Sequence, residues 1–403
     1  MRERTRVLAV ASTALLLTVL VWFNYSALLP IIVAEWGLTG VEAGVVFAAF
    51  QAGYVLAVLP VGWLADRRSR RRVIAAGATG TGLFSLGFAF FAVDVTTGAL
   101  LRFLAGLCMA GVYVPGMRFL SDWYPERVRG RALGIYAGAF SLSTGLSFLL
   151  ASPIAAALDW RIAIGATSVG GLLAGPLVLL GTRDHPDASV ATAGLDLSIL
   201  SNRPYRSAVG IYAGHTWELF GARNWLLAFL LATPALASTG RPTVVAGLLV
   251  GVTLSIGGLS NLAAGWASDH LGRRRTILLT LGTSATISAA LGTLAWNSFP
   301  VLAGVVLLYG LVLTADSSPT STAVTEVVSD GRIGVALALQ TLVGFGTTVV
   351  SPVVFGVALD LAGFDAAFLT LAAGAGFGLL SLAAFSRRQR THAKQSGATG
   401  RRT

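Results

Sequence analysis

The sequence predicts an all-α integral membrane protein, with twelve transmembrane helices in two six-helix bundles related by pseudo-two-fold symmetry. Three observations predict it. Of the 403 residues, 55% are apolar and 12% charged, with mean hydropathy +0.75, whereas a soluble chain carries about 25% charge. At roughly 20 apolar residues per crossing, twelve runs are long enough, near 7–33, 41–65, 73–93, 97–121, 131–157, 161–181, 207–235, 243–267, 276–296, 299–323, 333–359 and 364–385. Finally, the charged hinge Gly62-Trp63-Leu64-Ala65-Asp66-Arg67-Arg68-Ser69-Arg70-Arg71-Arg72 returns as Gly265-Trp266-Ala267-Ser268-Asp269-His270-Leu271-Gly272-Arg273-Arg274-Arg275, 203 residues on.

Other features repeat near the same interval. Span one ends Leu28-Leu29-Pro30 and span seven ends Ala232-Thr233-Pro234. Span five carries Ser152-Pro153 before Ala157-Leu158-Asp159, and span eleven carries Ser351-Pro352 before Ala358-Leu359-Asp360. Helices one to six therefore map onto helices seven to twelve. The expected divisions are a first bundle over 1–181, a polar linker over 182–206, a second bundle over 207–386 and a basic tail over 387–403.

With the N-terminus in the cytoplasm, 24 of the 29 Lys and Arg fall in cytoplasmic loops or tails. This is the positive-inside asymmetry, so both termini are expected to be cytoplasmic. It also accounts for the net charge of +11 without a nucleic-acid partner. The basic start (Arg2, Arg4, Arg6) before an apolar run is similar to a signal peptide but has no convincing cleavage site, so it reads as a retained span. One cysteine, Cys108, excludes an intramolecular disulfide framework.

The hinge residues Gly62-x-Leu64-Ala65-Asp66-Arg67-x-x-Arg70-Arg71 resemble the loop motif between helices two and three of the major facilitator superfamily. Gly265-x-x-x-Asp269-x-x-Gly272-Arg273-Arg274 resembles its degenerate second copy. The first copy departs by having Ser69 where the family usually has glycine. The resemblance implies parallel repeats with nested inverted triplets and a conformational latch at the cytoplasmic ends. Its expected members are Asp66, Arg67, Arg70, Arg118, Glu126, Arg129, Asp269 and Arg273. Glu126 and Arg129 belong to a second loop, Glu126-Arg127-Val128-Arg129-Gly130-Arg131, whose counterpart is Glu326…Asp330-Gly331-Arg332. The alternative for these charges is simple topological anchoring.

Charged groups inside a membrane are costly and mark functional positions by default. Here they are Arg102 and Arg118 in span four, His215, Glu218 and Arg223 in span seven, and Asp316 in span ten. In the fold that the resemblance implies, helices 1, 4, 7 and 10 line the central cavity. The guanidinium forks of Arg102 and Arg223 suit a carboxylate or another oxyanion. Tyr25, Tyr113 and Tyr309 complete the expected substrate site. Arg102 and Tyr113 are expected to share one face of span four, and Tyr309 and Asp316 one face of span ten. Glu218, Asp316 and His215 are the candidate proton-coupling groups, because buried carboxyls and imidazole can exchange a proton. Glu218 and Arg223 lie about 140° apart around an ideal helix, so a break near Gly221 decides whether both reach the cavity. The alternative for all of these is an internal ion pair that stabilises one conformation.

The expected function is a secondary active transporter of a small organic, anionic solute, coupled to protons and working by alternating access. Phe50-Gln51-x-Gly53-Tyr54 with Arg102-Phe103-Leu104-x-Gly106 is similar to the anion:cation symporter and organophosphate branches. The alternative is a proton-coupled efflux pump for lipophilic compounds. Against it, residues 145–154 lack the Gly-Pro of the drug–proton antiporter motif. No phosphate-binding loop, metal-ligand cluster or activated nucleophile is recognisable, so neither an enzyme nor a cofactor or metal is expected. A monomer in the cytoplasmic membrane is the expected state.

Overall fold

The computed structural model describes residues 2–186, 197–329 and 332–399, without the side chains of Arg2, Glu126 and 386–399. Part of the linker, Asp330 and Gly331 of the second loop, the end of the tail and the Glu126 side chain therefore lie outside the described residues. The helices are α1 (Arg2–Trp36), α2 (Gly40–Arg67), α3 (Arg70–Phe91), α4 (Val95–Met109), α5 (Tyr113–Trp123), α6 (Glu126–Ala157) and α7 (Trp160–Gly181) in the first half. The second half holds α8 (Arg203–Leu231), α9 (Pro234–Ala237), α10 (Pro242–Leu271), α11 (Arg273–Leu291), α12 (Phe299–Leu313), α13 (Ser317–Thr325) and α14 (Ile333–Thr399).

Helix starts carry side chains that accept the unpaired N–H groups of a first turn. Thr39 and Glu42 form a reciprocal capping box on α2, while Asp94 caps α4, Asp159 caps α7 and Asn202 caps α8. Ser69, the departure from the family pattern, caps α3 by accepting the Arg72 N–H, and its hydroxyl donates to Asp184. Asp184 also accepts the Arg71 N–H at 3.0 Å. The hinge is thus tied to the beginning of the linker.

Spans four and ten, expected as single helices, are each interrupted. The gaps fall at 110–112 between α4 and α5, and at 314–316 between α12 and α13. Pro115 and Pro319 explain both. Each lacks an N–H and crowds the carbonyl four residues back, at Gly111 and Ala315. Helix α8 ends at Leu231, short of Pro234, because residues before proline disfavour the helical region. Among the described residues, nine helices are long and apolar enough to cross a membrane. One of these, Ile333–Phe385, holds two of the expected spans, divided at Ala362 and at Gly363 (φ 76°). Helices α8 and α11 fall outside the nine. The first carries arginines, His215 and Glu218, and the second is rich in Ser and Thr.

The halves meet along α2 with α14, along α6 with α10, and along α1 with α8. Glycine permits the closest of these approaches. A Cβ at Gly44 would lie 2.5 Å from the Pro352 carbonyl, and one at Gly145 would lie 2.3 Å from the Gly251 carbonyl. These approaches run from the midplane to the end distal from the arginine hinges. At that distal end the Asp360 carboxylate accepts the N–H groups of Gly40 and Val41 at 2.6 and 2.9 Å. At the hinge end, Gly62 has nothing within 4 Å, and Trp63 and Trp266 are exposed.

Candidate functional site

Helix α8 runs unbroken through Gly221, whose missing Cβ makes room for Leu371, only 2.3 Å from where a methyl would sit. With no break, Glu218 and Arg223 address different surroundings. Arg223 turns toward the junction of the halves. Its guanidinium carbon lies 5.5 Å from the Phe23 ring of α1 and 5.2 Å from the Phe220 ring. The side chain is 95% buried, its Nε has no partner, and it makes no hydrogen bond or ion pair among the described residues. Beside it Asn224 accepts a bond from Ser26 of the other half at 3.1 Å.

An aromatic cluster continues from there across both halves. Phe23 and Trp22 face Phe220 at 6.2 and 6.4 Å, and Phe220 meets Phe345 at 5.5 Å. Tyr54 packs on Phe345 at 5.2 Å and on Trp22 at 4.9 Å.

Glu218 points the other way, into the second half. Ser284 donates to its Oε2 at 2.6 Å, and Ser288 and Tyr309 donate to its Oε1 at 2.6 and 3.2 Å. The Tyr309 oxygen also lies 2.7 Å from that of Ser288, so its single proton is shared between Ser288 and Oε1. All four groups are buried. One turn of α8 away, His215 meets Asp316 (Nδ1 to Oδ1) at 2.7 Å and Ser317 through Nε2 at 2.8 Å. The second carboxylate oxygen of Asp316 is buried without a partner.

Arg102 is held inside the first half. Its Nη1 donates to the Val21 carbonyl and its Nη2 to the Trp22 carbonyl, both at 2.9 Å, while Phe50 lies under the guanidinium at 4.5 Å. Tyr25, 5.5 Å from the same guanidinium, donates to the Ala43 carbonyl. Tyr113 stacks with Tyr136 and tilts against Phe140. Across the break before Tyr113 the side chains of Arg102 and Tyr113 have different direct partners, although Phe140, against which Tyr113 tilts, packs on Trp22, whose carbonyl Arg102 binds. Tyr309 and Asp316 likewise have different partners across the break in span ten. Tyr309 joins Glu218, and Asp316 joins His215.

At the hinge end, Arg70 binds Asp122 at 2.5 Å and Asp66 at 3.2 Å, with Arg70 and Asp122 almost fully buried. Arg118 reaches Asp66 at 3.7 Å. Arg67 covers the Trp63 ring at 4.2 Å, and Arg129 donates to the Tyr124 carbonyl. In the second half Arg273 bridges Asp269 at 3.0 Å and Glu326 at 2.6 Å. Of the two acids that the sequence offers Arg118 as partners, Asp66 takes that place and Asp122 pairs with Arg70, whereas Asp184, Ser284 and Ser288 carry no such signal. The spacing of Ser284 and Ser288, four apart on one helix face, was the signal available for the last two.

The fold defines a polytopic helical membrane protein, with buried ionisable groups at and behind the junction of its two halves. The profile of the Major Facilitator Superfamily matches residues 11–244 and 219–403, and the chain belongs to that family. It is 29% identical over 210 residues to a protein of Cupriavidus necator described as a probable sulfoacetate transporter, covering 51% of this chain and 48% of that one. The match thus spans about half the length of that relative. The chain is 25% identical over 370 residues to the 4-hydroxybenzoate transporter of Pseudomonas aeruginosa, covering 79% and 81%. Among solved structures, a bacterial homologue of the human lysosomal transporter Spinster, inward-facing and occupied, superposes with TM-score 0.80 at 15% identity, covering 98% of each chain.

Proposed function

We propose that the protein is a secondary active transporter that moves a small organic anion across the cytoplasmic membrane by alternating access, coupled to protons. The observation that carries the reading is Arg223, a buried guanidinium at the junction of the halves with no anion to meet it. An uncompensated buried charge costs several kcal/mol, and a bound oxyanion relieves that cost with two parallel hydrogen bonds. The sulfoacetate and 4-hydroxybenzoate named for the relatives are both organic anions, which agrees.

Glu218, Asp316 and His215 are the proposed proton carriers. A carboxylate surrounded by hydroxyls suits this role, because Ser and Tyr hydroxyls donate to an ionised carboxylate and can turn to accept from a protonated one. If the proposed twelve crossings and cytoplasmic termini hold, the contacts between the halves at the end distal from the hinges close the outer side in this conformation. The hinge groups Asp66, Arg67, Arg70, Arg118, Glu126, Arg129, Asp269 and Arg273 would then re-pair across the halves when the cytoplasmic side closes. The working unit is a monomer.

The test is uptake of labelled organic anions into proteoliposomes of the purified protein, with and without an inward proton gradient. Gradient-driven accumulation supports the reading. Anion-independent proton flux, or transport confined to cationic lipophiles, contradicts it.

A further inference from the structure

The relatives carry anions of different shape and charge, from an aliphatic sulfonate bearing a carboxylate to a hydroxylated benzoate. The geometry points to one class for this chain: we infer that the site around Arg223 selects a flat, aromatic monocarboxylate over dianions and polyhydroxylated acids. This rests on the anion reading above and narrows it.

Charge is the first argument. The first half contributes two buried cations, and both are committed. Arg70 is paired with Asp66 and Asp122, and the terminal nitrogens of Arg102 are bonded to the Val21 and Trp22 carbonyls. That leaves Arg223 as the buried cation without a partner among the described residues. The buried acids nearest to it along α8 and its neighbours, Glu218 and Asp316, add negative potential when ionised. A monoanion neutralises Arg223, whereas the second charge of a dianion would have to draw on Arg102, whose terminal nitrogens are already held by backbone carbonyls.

The walls are the second argument. The guanidinium lies between Phe23 and Phe220, and those rings lead to Trp22, Phe345 and Tyr54. Such surfaces favour a planar ring, which can stack or meet them edge to face. A sugar acid would bring several hydroxyls against them without partners, which is costly.

Two polar atoms on α2 are unused. The Tyr54 hydroxyl and the Gln51 amide nitrogen are buried with no hydrogen-bond partner. They lie three residues apart on one helix face, Tyr54 within the ring cluster and the Gln51 amide oxygen 3.5 Å from the Thr348 hydroxyl of the other half. A ring hydroxyl or carbonyl on the substrate would satisfy one of them. In the inferred site a carboxylate meets Arg223 and a polar substituent of the ring meets one of these two groups.

The experiment is calorimetric titration of the purified protein with benzoate, 4-hydroxybenzoate, cyclohexanecarboxylate, terephthalate and glucarate. Benzoate should bind about five- to ten-fold tighter than cyclohexanecarboxylate, the size expected of ring–ring contacts, and the two dianions should bind weakest. In Phe220→Leu the preference for benzoate over cyclohexanecarboxylate should collapse while both still bind. Terephthalate or glucarate binding as tightly as benzoate, or no preference for the flat ring, overturns the inference and leaves the anion reading standing. If neither these acids nor any other organic anion binds the folded wild type, the anion reading falls with it.

Discussion

The two halves descend from one repeated plan, yet they use their buried charge differently. In the first half, the terminal nitrogens of Arg102 and Arg70 are held inside their own bundle, the first by backbone carbonyls and the second by carboxylates. The Nε of Arg102, like that of Arg223, has no partner among the described residues. Among the described residues, no acid in that half is as deeply buried as Glu218 or Asp316. In the second half, among the described residues, Arg223 has no hydrogen-bond or ionic partner, Glu218 has only hydroxyls, and Asp316 has an unused oxygen. A satisfied buried charge fixes a structure, whereas an unsatisfied one is available for a ligand or a proton. On the proposed reading the first half is the frame, and the second holds the anion and proton groups.

The hinges give the largest expected contrast. Arg70→Ala should strand the buried Asp122 carboxylate and destabilise the protein by about 3–5 kcal/mol. Arg273→Ala removes a more exposed pair of contacts and should cost less than about 1 kcal/mol. Thermal unfolding of the two variants in detergent checks this. Equal losses would remove the distinction between the two hinges.

Glu218→Gln should keep the fold, since the amide oxygen can still accept from serine hydroxyls. Anion exchange should persist, while accumulation driven by a proton gradient should fall by about ten-fold or more. Parallel exchange and gradient-driven assays in proteoliposomes separate the two effects. Unchanged gradient-driven uptake would move proton coupling to Asp316 and His215.

The smallest contrast concerns the ends distal from the hinges. Asp360 reaches across the halves to the start of α2, where a carboxylate is favoured by the exposed N–H groups of a helix end. Its repeat counterpart Asp159 instead caps its own α7 through the Arg161 N–H at 2.7 Å. The corresponding helix α10 begins at Pro242, which has no N–H to offer. Asp360→Asn should weaken closure by about 1 kcal/mol, and Asp159→Asn should leave it unchanged. Spin labels at Val93 and Leu361, in a Cys108→Ser background, would report longer distances only in the first variant.

Much of this was legible in the chain. The Gly-Trp, Asp and arginine repeat gave the duplication, and the rarity of charge in the spans singled out Arg102, His215, Glu218, Arg223 and Asp316. Their orientations were less accessible. Prolines 115 and 319 interrupt spans four and ten, so face assignments carried across those breaks put Arg102 with Tyr113 and Tyr309 with Asp316. The partners of Glu218 were hidden for another reason. Ser284 and Ser288 are ordinary residues in a helix rich in Ser and Thr, and only tertiary packing brings them to the carboxylate.

The central claim is that Arg223 is the anion anchor and Arg102 a structural tie. It is tested most directly by benzoate binding to Arg223→Gln and Arg102→Gln, measured on protein shown to be folded. The account predicts a loss of about 100-fold or more for Arg223→Gln, the size expected for a buried charge-assisted pair. It predicts near wild-type affinity with a lowered melting temperature for Arg102→Gln. Loss of binding in Arg102→Gln with retention in Arg223→Gln would contradict it.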